Sequence, residues 1–423
     1  MVRQPQVNDM RNVDAAGLGI GDDYPPRIMG VLNVSSESPY KPSVFDDPGE
    51  AAAYVDRELV DEGADIVDVG LESANKKFEV LSAQQELDRL DTAIETIAST
   101  SGDAVWSIET RYHEVAEAAI RGGFDVVNDI CGFADPEMPR VCAEHDVAVA
   151  KMASPPNLER PGAVEETPWA ERKGEAWAAE ADYVDQVYEA LAQNGFTDKT
   201  IVDPAFGGWS EAKTVEDDRE TFRRLREFRG HGSPILVSIN RKNFLRGLAD
   251  RSTEEALPVS LAATSMAVER GAHVIRTHDV RETRDAAIVG KAFARRRLRR
   301  TPDDGTDGGT DGTDTGTGTV GVEELDVTTV GEARRHVERV GGDPAVAEGA
   351  VVRTFELSGV DPEERGALAA AATEAGAVLV EASDGAGALL VGTPASLRES
   401  TRIAEGVSPR LDDALVALAD ALE

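Results

Sequence analysis

Short apolar runs alternate along the chain with longer segments whose apolar residues recur every three or four positions. Eight of these runs are rich in Val, Ile and Leu, and each is followed by a segment with helical spacing. The runs are IMGVLN (28–33), DIVDVG (65–70), AVWSIE (104–109), FDVVND (124–129), VAVAKM (147–152), TIVDP (200–204), PILVSIN (234–240) and HVIRTH (273–278). Strands that alternate with helices in this way pair in parallel. Eight such units predict a (β/α)8 TIM barrel, and a doubly wound open sheet is the alternative α/β fold.

A segment of Gly, Thr and Asp interrupts this pattern after the eighth unit. TPDDGTDGGTDGTDTGTGT (301–319) has no residue suited to a hydrophobic core, so it predicts a flexible acidic linker. We therefore expect four parts, which are an N-terminal arm (1–25), the barrel (26–298), the linker (299–320) and a small α/β domain (321–423). The small domain shows three strand patterns and three helix patterns but no catalytic motif, so it is interpreted as a packing or assembly module.

The chain is strongly acidic, with 44 Lys and Arg residues against 79 Asp and Glu residues, so the net charge is 44 − 79 = −35. Nucleic acid and anionic membrane surfaces need a basic face, so neither is an expected partner. A disordered acidic chain is excluded because 41% of the residues are hydrophobic and fall in ordered runs. The composition resembles that of soluble proteins from salt-adapted cells, in which concentrated salt screens the self-repulsion.

Cysteine content and hydropathy bear on the compartment. Cys131 and Cys142 are the two cysteines, which permit neither a disulfide framework nor a CxxC site. The first 25 residues lack an apolar core of signal-peptide length, and no apolar run of membrane-spanning length occurs. We therefore expect a cytoplasmic protein in a reducing compartment.

Polar side chains follow nearly every predicted strand at its carboxyl end. In the eighth run, Arg276 and His278 lie two residues apart, so they face the same side of the strand. The exits of the other runs carry Asn33, Glu72, Glu109, Asn128 with Asp129, Lys151, Asp203, and Asn240 to Lys242. A single Asn or Asp at such a place can simply cap the next helix. Because the carboxyl ends of all eight strands meet at one mouth of a barrel, their convergence instead predicts an active site there.

Three of these residues form one chemical set. Arg276, His278 and Asn33 come from the last and first strands, which become neighbours when the barrel closes. Arg276 offers a planar fork for phosphate oxygens, and Asn33 offers a carbonyl oxygen suited to Mg²⁺. Phosphate sites of TIM barrels often lie near the last two strands. This side of the mouth is therefore predicted to bind a phosphate or diphosphate with the help of Mg²⁺.

A second chemical set consists of Glu109, Asn128, Asp203 and Lys242. Two carboxylates, an amide and an ammonium suit a flat heterocycle with an amino-amidine edge, because a carboxylate accepts paired N–H bonds. Lys242 can donate to a ring carbonyl or a ring nitrogen. The two sets together predict a small-molecule substrate in which a flat ring carries a diphosphate.

With these residues in place, the chain resembles dihydropteroate synthase over about residues 27–295. The resemblance rests on seven motifs in order, which are MGVLNV (29–34), GADIVDVGLES (63–73), SIET (107–110), VVNDICG (126–132), IVDPAFG (201–207), PILVSINRK (234–242) and GAHVIRTHDV (271–280). It implies a barrel enzyme of folate biosynthesis that transfers a pterin-methyl group. In that reaction 6-hydroxymethyl-7,8-dihydropterin diphosphate is joined to p-aminobenzoate, and diphosphate is released. The C-terminal domain is similar to an accessory domain found at the other end of some bacterial members.

The resemblance also implies roles for the matched residues. The diphosphate would be held by Asn33, Arg276 and His278, with Mg²⁺ at Asn33. The pterin would be held by Glu109, Asn128, Asp203 and Lys242. Glu109 stands where the family usually has Asp, and is one methylene longer.

The loops on the amine side depart from the family pattern. The usual T-P-D-S-F of the first loop is replaced by SSESPYKPSVF (35–45), so Glu37 takes the place of the Asp and is expected to be catalytic. In the second loop, ANKKF (74–78) replaces T-R-P-G and lacks the Arg, although Lys76 or Lys77 could supply the charge. Asn243 stands where a Ser usually helps to hold the aminobenzoate carboxylate. The amine substrate is therefore predicted to be p-aminobenzoate or a related arylamine, with sequence drift at an unchanged reaction as the alternative.

Two other functions stay open at this point. A pterin-dependent methyltransferase that uses methyltetrahydrofolate would share the ring-binding Asp and Asn, but it would not need Arg276 and His278 as a diphosphate clamp. A non-catalytic pterin-binding paralogue would account for the altered amine-side loops. Assembly into a homodimer through the barrel is also left open.

Overall fold

The computed structural model describes residues 12–35, 41–73, 80–153, 169–207, 213–300, 322–381 and 387–422. The chain forms two compact units, Met1–Glu324 and Leu325–Glu423. The expected catalytic residue Glu37, the altered loop at 74–78 and the linker residues 301–320 lie outside the described residues. The predicted four-part division of the chain remains a prediction.

Ten strands are described in the first unit before residue 280. They are β1 (Val13–Ala15), β2 (Leu18–Ile20), β3 (Arg27–Asn33), β4 (Ile66–Gly70), β5 (Val105–Thr110), β6 (Val126–Asp129), β7 (Ala148–Met152), β8 (Thr200–Asp203), β9 (Leu236–Val237) and β10 (Val274–Thr277). Strands β3 to β10 pair in parallel in the order β8-β7-β6-β5-β4-β3-β10-β9. A parallel bridge between Val202 and Ile235 joins the two ends of this sheet. The resulting closed barrel confirms the predicted (β/α)8 fold.

Helical segments follow each barrel strand. They are α1 (Pro48–Tyr54) with a π-helical turn (Val55–Val60), α2 (Ala83–Ser99), α3 (His113–Arg121), α4 (Met138–Glu144), α5 (Trp169–Lys173), α6 (Glu175–Glu180), α7 (Tyr183–Ala192), α8 (Val215–Arg223), a 3-10 helix (Leu225–His231), α9 (Asn243–Arg246), α10 (Leu257–Glu269) and α11 (Val280–Phe293). Ser82 and Thr214 begin α2 and α8 with capping boxes, in which a side chain at each end satisfies a free backbone N–H. These caps fix where the two helices start after their strands.

The β1–β2 hairpin covers one end of the barrel. Val13 and Ile20 of the hairpin are buried in the same apolar cluster as Met29, Ile66 and Ile201 of three barrel strands. These three residues lie at or near the amino ends of their strands. The amino-terminal end of the barrel is therefore closed by hydrophobic packing, and the polar carboxyl ends of the strands form the open end.

Strand β9 is shorter than the pattern PILVSIN (234–240) predicts. It forms ladder pairs only at Leu236 and Val237. Beyond it the backbone turns, and Arg241 has a positive φ of 54°. Ile239, the apolar residue of this pattern that follows the ladder, is still buried, so the apolar pattern indicates burial here rather than strand pairing.

The second unit is an α/β structure. Its elements are α12 (Val330–Arg339), a 3-10 helix (Pro344–Ala350), β13 (Arg353–Ser358), α13 (Pro362–Ala375), β14 (Val378–Glu381), β15 (Gly387–Gly392), α14 (Pro394–Ala404) and α15 (Pro409–Asp420). A short antiparallel pair, β11 (Arg299–Arg300) with β12 (Val322–Glu323), precedes them in the first unit. The three strands and three helices expected here are found, whereas the charged helix α12 was not anticipated. Across the described ranges, no helix is both long and apolar enough to cross a membrane.

Candidate active site at the barrel mouth

Strand register brings several predicted site residues to one level. Asn33 pairs with Gly70, Gly70 with Glu109, and Glu109 with Asn128 across β3 to β6. Asp68 lies two residues before Gly70, so it faces the same interior one step deeper. The structure therefore brings members of both predicted sets to the same end of the barrel.

Arg276 is held between two carboxylates. Its Nε donates to Oδ2 of Asp68 at 2.7 Å, and its Nη2 donates to Oε2 of Glu109 at 2.5 Å. The Arg276 side chain is 18% exposed. Burial favours loss of its proton, but the two carboxylates outweigh that effect and hold the pKa of Arg276 above its ordinary value. Its Nη1 has no hydrogen-bond partner among the described residues, so this edge can receive a ligand oxygen.

Asp68 is the centre of this network, and sequence reasoning did not single it out. It is fully buried and accepts hydrogen bonds from Ser107 Oγ at 2.6 Å, Asn128 Nδ2 at 3.1 Å and Arg276 Nε at 2.7 Å. A buried carboxylate needs donors of this kind. The available signal was one charged residue at an inward-facing position of the apolar run DIVDVG. Since Asn128 gives an N–H to Asp68, its carbonyl oxygen is directed away from that carboxylate.

Asp203 and Lys242 form the opposite wall of the mouth. Burial raises the pKa of Asp203 to about 6. Burial also lowers the pKa of Lys242 to about 8, with the Arg276 cation acting in the same direction. A Cβ placed on Gly207, which has φ +111°, would lie 3.0 Å from the Lys242 ammonium nitrogen. The glycine therefore allows the close approach of this ammonium to the loop after β8.

Lys213 is a further buried cation near Asp203 that sequence reasoning missed. Its Nζ lies 2.6 Å from Oδ1 of Asp218, and it also donates to the carbonyl oxygen of Ala205. Asp218 in turn accepts the backbone N–H of Gly207 at 3.2 Å. The Lys213 side chain is only 2% exposed, so it serves to hold the loop that follows Asp203.

His278 and Asp279 follow β10 with different chemistry. Burial and the nearby Arg276 cation lower the pKa of His278 to about 3, so the imidazole is neutral near pH 7. Asp279 accepts from Asn240 Nδ2 at 2.9 Å and from both Nε and Nη2 of Arg241, at 2.8 and 2.9 Å. Arg241 is thus committed to Asp279 as a bidentate pair.

Asn33 is oriented by one hydrogen bond, from its Nδ2 to Ser43 Oγ at 2.9 Å. Its Oδ1 faces Gly70, where an added Cβ would lie 3.0 Å from this oxygen. Among the described residues the oxygen accepts no hydrogen bond. An available amide oxygen is a ligand that Mg²⁺ prefers, so Asn33 fits the predicted role of a single protein ligand.

Two of the polar strand exits do not face the mouth. Asp129 accepts the backbone N–H of Cys131 at 2.8 Å, inside the turn after β6. Lys151 is fully buried and donates to the carbonyl oxygens of Leu191 and Gly195, at 2.9 and 2.8 Å. Strand alternation explains both cases, because these positions face the surrounding helices rather than the barrel interior.

Asn243 begins α9 and is exposed. Its Oδ1 accepts hydrogen bonds from Nε and Nη2 of Arg246, at 2.9 and 2.5 Å. The predicted contact of Asn243 with the amine substrate therefore needs a different donor–acceptor arrangement from the one described, and it remains a prediction.

A second buried charge cluster lies one step above Glu109. Nη2 of Arg111 lies 2.8 Å from Oε1 of Glu72, and the two side chains are 8% and 9% exposed. Behind them, Glu86 of α2 accepts a 2.5 Å hydrogen bond from Thr110 Oγ1. Burial raises the pKa of Glu86 to about 7. Sequence reasoning placed Glu72 at the mouth but missed Arg111, whose two-residue spacing from Glu109 was the available signal.

A group of His113, Glu114 and Asp135 has potential metal-ligand atoms within 4.8 Å of one another. Asp135 accepts both the backbone N–H and the Nδ1 of His113, at 3.0 and 2.8 Å. These bonds satisfy the start of α3, so helix capping accounts for the group.

The family described as "Pterin binding enzyme" matches residues 29–278. Dihydropteroate synthase of Bacillus subtilis is 30% identical over 257 residues, which cover 60% of this chain and 84% of that protein. A dihydropteroate synthase from Coxiella burnetii, solved in complex with pteroic acid, has a TM-score of 0.54 and 28% identity, and the match covers 67% of this chain and 98% of that one.

A probable bifunctional folylpolyglutamate synthase/dihydropteroate synthase of Halobacterium salinarum is 32% identical over 265 residues. That match covers 63% of this chain but 31% of the relative, so the chain spans about a third of that protein's length. The double activity of that relative is therefore not carried over to this chain.

The closed parallel barrel and its polar mouth define a pterin-binding enzyme on a TIM barrel, and the chain belongs to that family. Within it, the extent of the matches identifies the barrel as one of the dihydropteroate synthases. The predicted family, and with it the predicted class of transferase, are confirmed.

Proposed function

We propose that this chain condenses 6-hydroxymethyl-7,8-dihydropterin diphosphate with p-aminobenzoate, or a related arylamine, in folate biosynthesis. A C–N bond forms between the amine nitrogen and the pterin methylene carbon. The C–O bond to diphosphate breaks, and the amine nitrogen gives up a proton. The observation that carries the proposal is the convergence of Asn128, Asp203, Lys242 and Arg276 at one mouth of a pterin-binding barrel.

The pterin ring is assigned to Glu109, Asn128, Asp203 and Lys242. The Asp203 carboxylate accepts paired N–H bonds from the amino-amidine edge of the ring. Lys242 donates to the ring carbonyl or a ring nitrogen, and Asn128 offers its carbonyl oxygen. Because the pKa of Asp203 is about 6 and that of Lys242 about 8, both groups carry their charge near pH 7. Burial of these groups strengthens each contact relative to water.

The diphosphate is assigned to Arg276 and His278. Arg276 keeps its Nη1 edge for phosphate oxygens, while Asp68 and Glu109 hold the rest of the guanidinium. His278 is neutral near pH 7 and contributes a hydrogen bond rather than a charge. The negative charge that develops on the departing diphosphate is stabilised by donors that are already in place, which is electrostatic catalysis of the leaving group. The reaction needs no protein nucleophile.

Mg²⁺ is part of the proposal, with Asn33 as its protein ligand. The hydrogen bond to Ser43 fixes the amide so that Oδ1 is available. The ion, when bound, neutralises charge on the diphosphate oxygens.

The amine side of the proposal rests on the sequence motifs. Glu37 is assigned as the catalytic side chain of the first loop, and Asn243 as a contact of the arylamine. The departures of these loop sequences from the family pattern favour an amine substrate that differs from plain p-aminobenzoate, for instance by carrying an extra substituent. The proposal also includes a homodimer that forms through the barrel.

The setting of the reaction is part of the proposal as well. The free cysteines Cys131 and Cys142 are both buried and favour a reducing, cytoplasmic compartment. The net charge of −35 favours a salt-rich one.

The test is an assay of the purified protein in concentrated KCl with Mg²⁺, the pterin diphosphate and p-aminobenzoate. Release of diphosphate that depends on both substrates is expected, together with formation of a pteroate product. The variant Asp203→Asn is the matched control and should lose most of the rate. Absence of turnover with every arylamine tested, in a protein that is folded, would refute the proposed reaction.

A further inference from the structure

We propose that Arg111 binds the carboxylate of the arylamine and so sets the preference of the enzyme for acidic arylamines. The inference rests on the proposed function, because the arylamine is the second substrate of that reaction. It identifies a specificity-determining residue that lies outside the two residue sets predicted from the sequence.

The first support is position. Arg111 is the first residue after β5 and follows Glu109 by two residues, so it lies nearer the open end of the barrel than Glu109. Its partner Glu72 lies two residues beyond Gly70, which pairs with Glu109. The Arg111–Glu72 pair is therefore one step above the level proposed for the pterin. A second substrate that enters from the open end must pass this step.

The second support is unused hydrogen-bonding capacity. A guanidinium has five N–H donors. Nη2 of Arg111 donates to Glu72 at 2.8 Å, whereas its Nε is buried and has no hydrogen-bond partner in the described part of the chain. Buried donors are rarely left unsatisfied, because a donor that loses its hydrogen bonds to water and gains none in the protein destabilises the fold. A carboxylate against the remaining edge of Arg111 would supply acceptors for these donors.

Three other cations at this end of the barrel are more fully engaged. Arg276 bonds to Asp68 and Glu109, Arg241 bonds to Asp279 through two atoms, and Lys213 bonds to Asp218. Each of these cations therefore has its charge balanced at short range. Arg111 has a single carboxylate partner, which contacts one of its three nitrogens.

A second carboxylate beside Arg111 is consistent with the local charges. Arg276, in the same mouth, already bridges two carboxylates at 2.7 and 2.5 Å. Glu86 lies behind Arg111, and its pKa of about 7 leaves it partly protonated near neutral pH. An incoming carboxylate is thus repelled less strongly than it would be if every acidic residue near Arg111 were charged.

The experiment measures equilibrium binding in concentrated KCl of two probes, pteroic acid and its analogue that lacks the carboxyl group. The quantity compared is the ratio of the two Kd values, which isolates the carboxylate contact and needs no turnover. In the unmodified protein the analogue should bind on the order of 10–100-fold more weakly than pteroic acid, as expected for one charge-assisted hydrogen bond. Arg111→Met should bring the ratio near one, and Arg111→Lys should give an intermediate ratio because it keeps the charge but not the fork.

Two comparison variants separate this role from the alternatives. Arg89 of α2 donates to the backbone carbonyl of Leu71 at 2.7 Å, so Arg89→Met removes a guanidinium that holds the exit of β4. It should change both Kd values together and leave the ratio unchanged. Replacement of Lys76 and Lys77 by Met tests whether the second loop carries the charge instead, and it should also leave the ratio unchanged.

The outcomes are decisive for each idea separately. The role of Arg111 is overturned if Arg111→Met still binds the analogue much more weakly than pteroic acid. It is also overturned if replacement of Lys76 and Lys77 by Met brings the Kd ratio near one. Either result can be obtained while the unmodified protein still releases diphosphate. A ratio near one in the unmodified protein overturns it as well. Failure of the unmodified protein to turn over any arylamine counts against the proposed function, whereas a ratio lost only at Arg111 would still establish the carboxylate contact.

Discussion

Nη2 of Arg276 lies 2.5 Å from Oε2 of Glu109, so the guanidinium proposed to bind diphosphate is already paired with a carboxylate proposed to bind the ring. A diphosphate that approaches Arg276 must share the guanidinium with Glu109. One side chain therefore links the two halves of the substrate site. Glu109 is one methylene longer than an aspartate, which extends its reach toward Arg276.

This relationship predicts opposite effects of Glu109→Gln on the two halves of the substrate. Inorganic diphosphate should bind about three- to tenfold more tightly, because a negative charge next to Arg276 is removed. The unphosphorylated hydroxymethyl pterin should bind about tenfold more weakly, because a charged acceptor becomes a neutral one. Titration calorimetry with each ligand, at one fixed salt concentration, measures both effects. Glu109→Asp keeps the charge and is the control, with both affinities within about threefold of the unmodified protein.

If Glu109→Gln changes the affinity for both ligands in the same direction, Glu109 does not have opposite effects on diphosphate binding and ring binding. A loss of diphosphate affinity would show instead that Glu109 acts mainly by orienting Arg276.

Arg276→Lys should distinguish the diphosphate contact from the ring contact. Lysine keeps a charge but cannot serve two carboxylates and a phosphate with a planar fork. The affinity for the pterin diphosphate should fall about 10–100-fold, and that for the unphosphorylated pterin should change little. Asp203→Asn should weaken both ligands, because it breaks the ring contact that they share. Equal losses for both ligands in Arg276→Lys would mean that Arg276 is not a diphosphate clamp.

Strand alternation alone was enough to predict much of the mouth. Arg276 and His278 were assigned to one face from their spacing, and Asn33, Glu109 and Asn128 were placed at strand exits that the register then brought to one end. The fold was predictable for the same reason, because eight apolar strands alternate with amphipathic helices. What these predictions share is that they need only the order of residues within one strand.

The residues that were missed depend on contacts between strands. Asp68 is one charged residue in an apolar run, and its three donors come from β5, β6 and β10, at separations of 39, 60 and 208 residues. The position of Arg111 is likewise defined by its ion pair with Glu72, which follows the neighbouring strand. Asp129 and Lys151 were grouped with the mouth because a strand exit does not reveal which face its last residue takes. The side-chain partners in each case depend on the register between strands, and the sequence of one strand does not determine that register.

Asp68→Asn should be strongly destabilising, because all three described partners of Asp68 are donors. The new amide would place an N–H₂ group against Ser107, Asn128 or Arg276 and would leave the Arg276 charge with less compensation. The loss of unfolding free energy should be about 3–5 kcal/mol, the usual effect of removing one member of a buried ion pair. Urea unfolding followed by tryptophan fluorescence reports on the barrel, since all four Trp residues belong to the first unit.

Ser107→Ala is the control for Asp68→Asn. It removes one of the three donors and should cost only about 1 kcal/mol. A loss of similar size in the two variants would mean that the charge of Asp68 contributes little to the stability of the barrel.

Glu86 predicts a pH dependence of stability that one substitution should reduce. Burial raises its pKa from 4.5 to about 7 in the folded protein, whereas the unfolded chain keeps the lower value. Between these values the folded state binds the proton more strongly, so stability falls as the pH rises from about 4.5 to 7 and levels off above that. The full difference is about 3 kcal/mol at a cost of about 1.4 kcal/mol for each pKa unit.

Glu86→Gln should flatten this decline, because glutamine can still accept the hydrogen bond of Thr110 but does not titrate. The measurement is the urea unfolding free energy of the barrel at pH 5, 6, 7 and 8 in constant KCl, taken as the difference between variant and unmodified protein. Other buried carboxyls, including Asp203 with its pKa of about 6, contribute equally to both proteins and cancel in that difference. Glu95→Gln, an exposed position on the same helix, is the control and should give a difference that does not change with pH. The variant should gain stability relative to the unmodified protein as the pH rises from 5 to 8, and a difference that stays constant would place Glu86 in its charged form throughout this range.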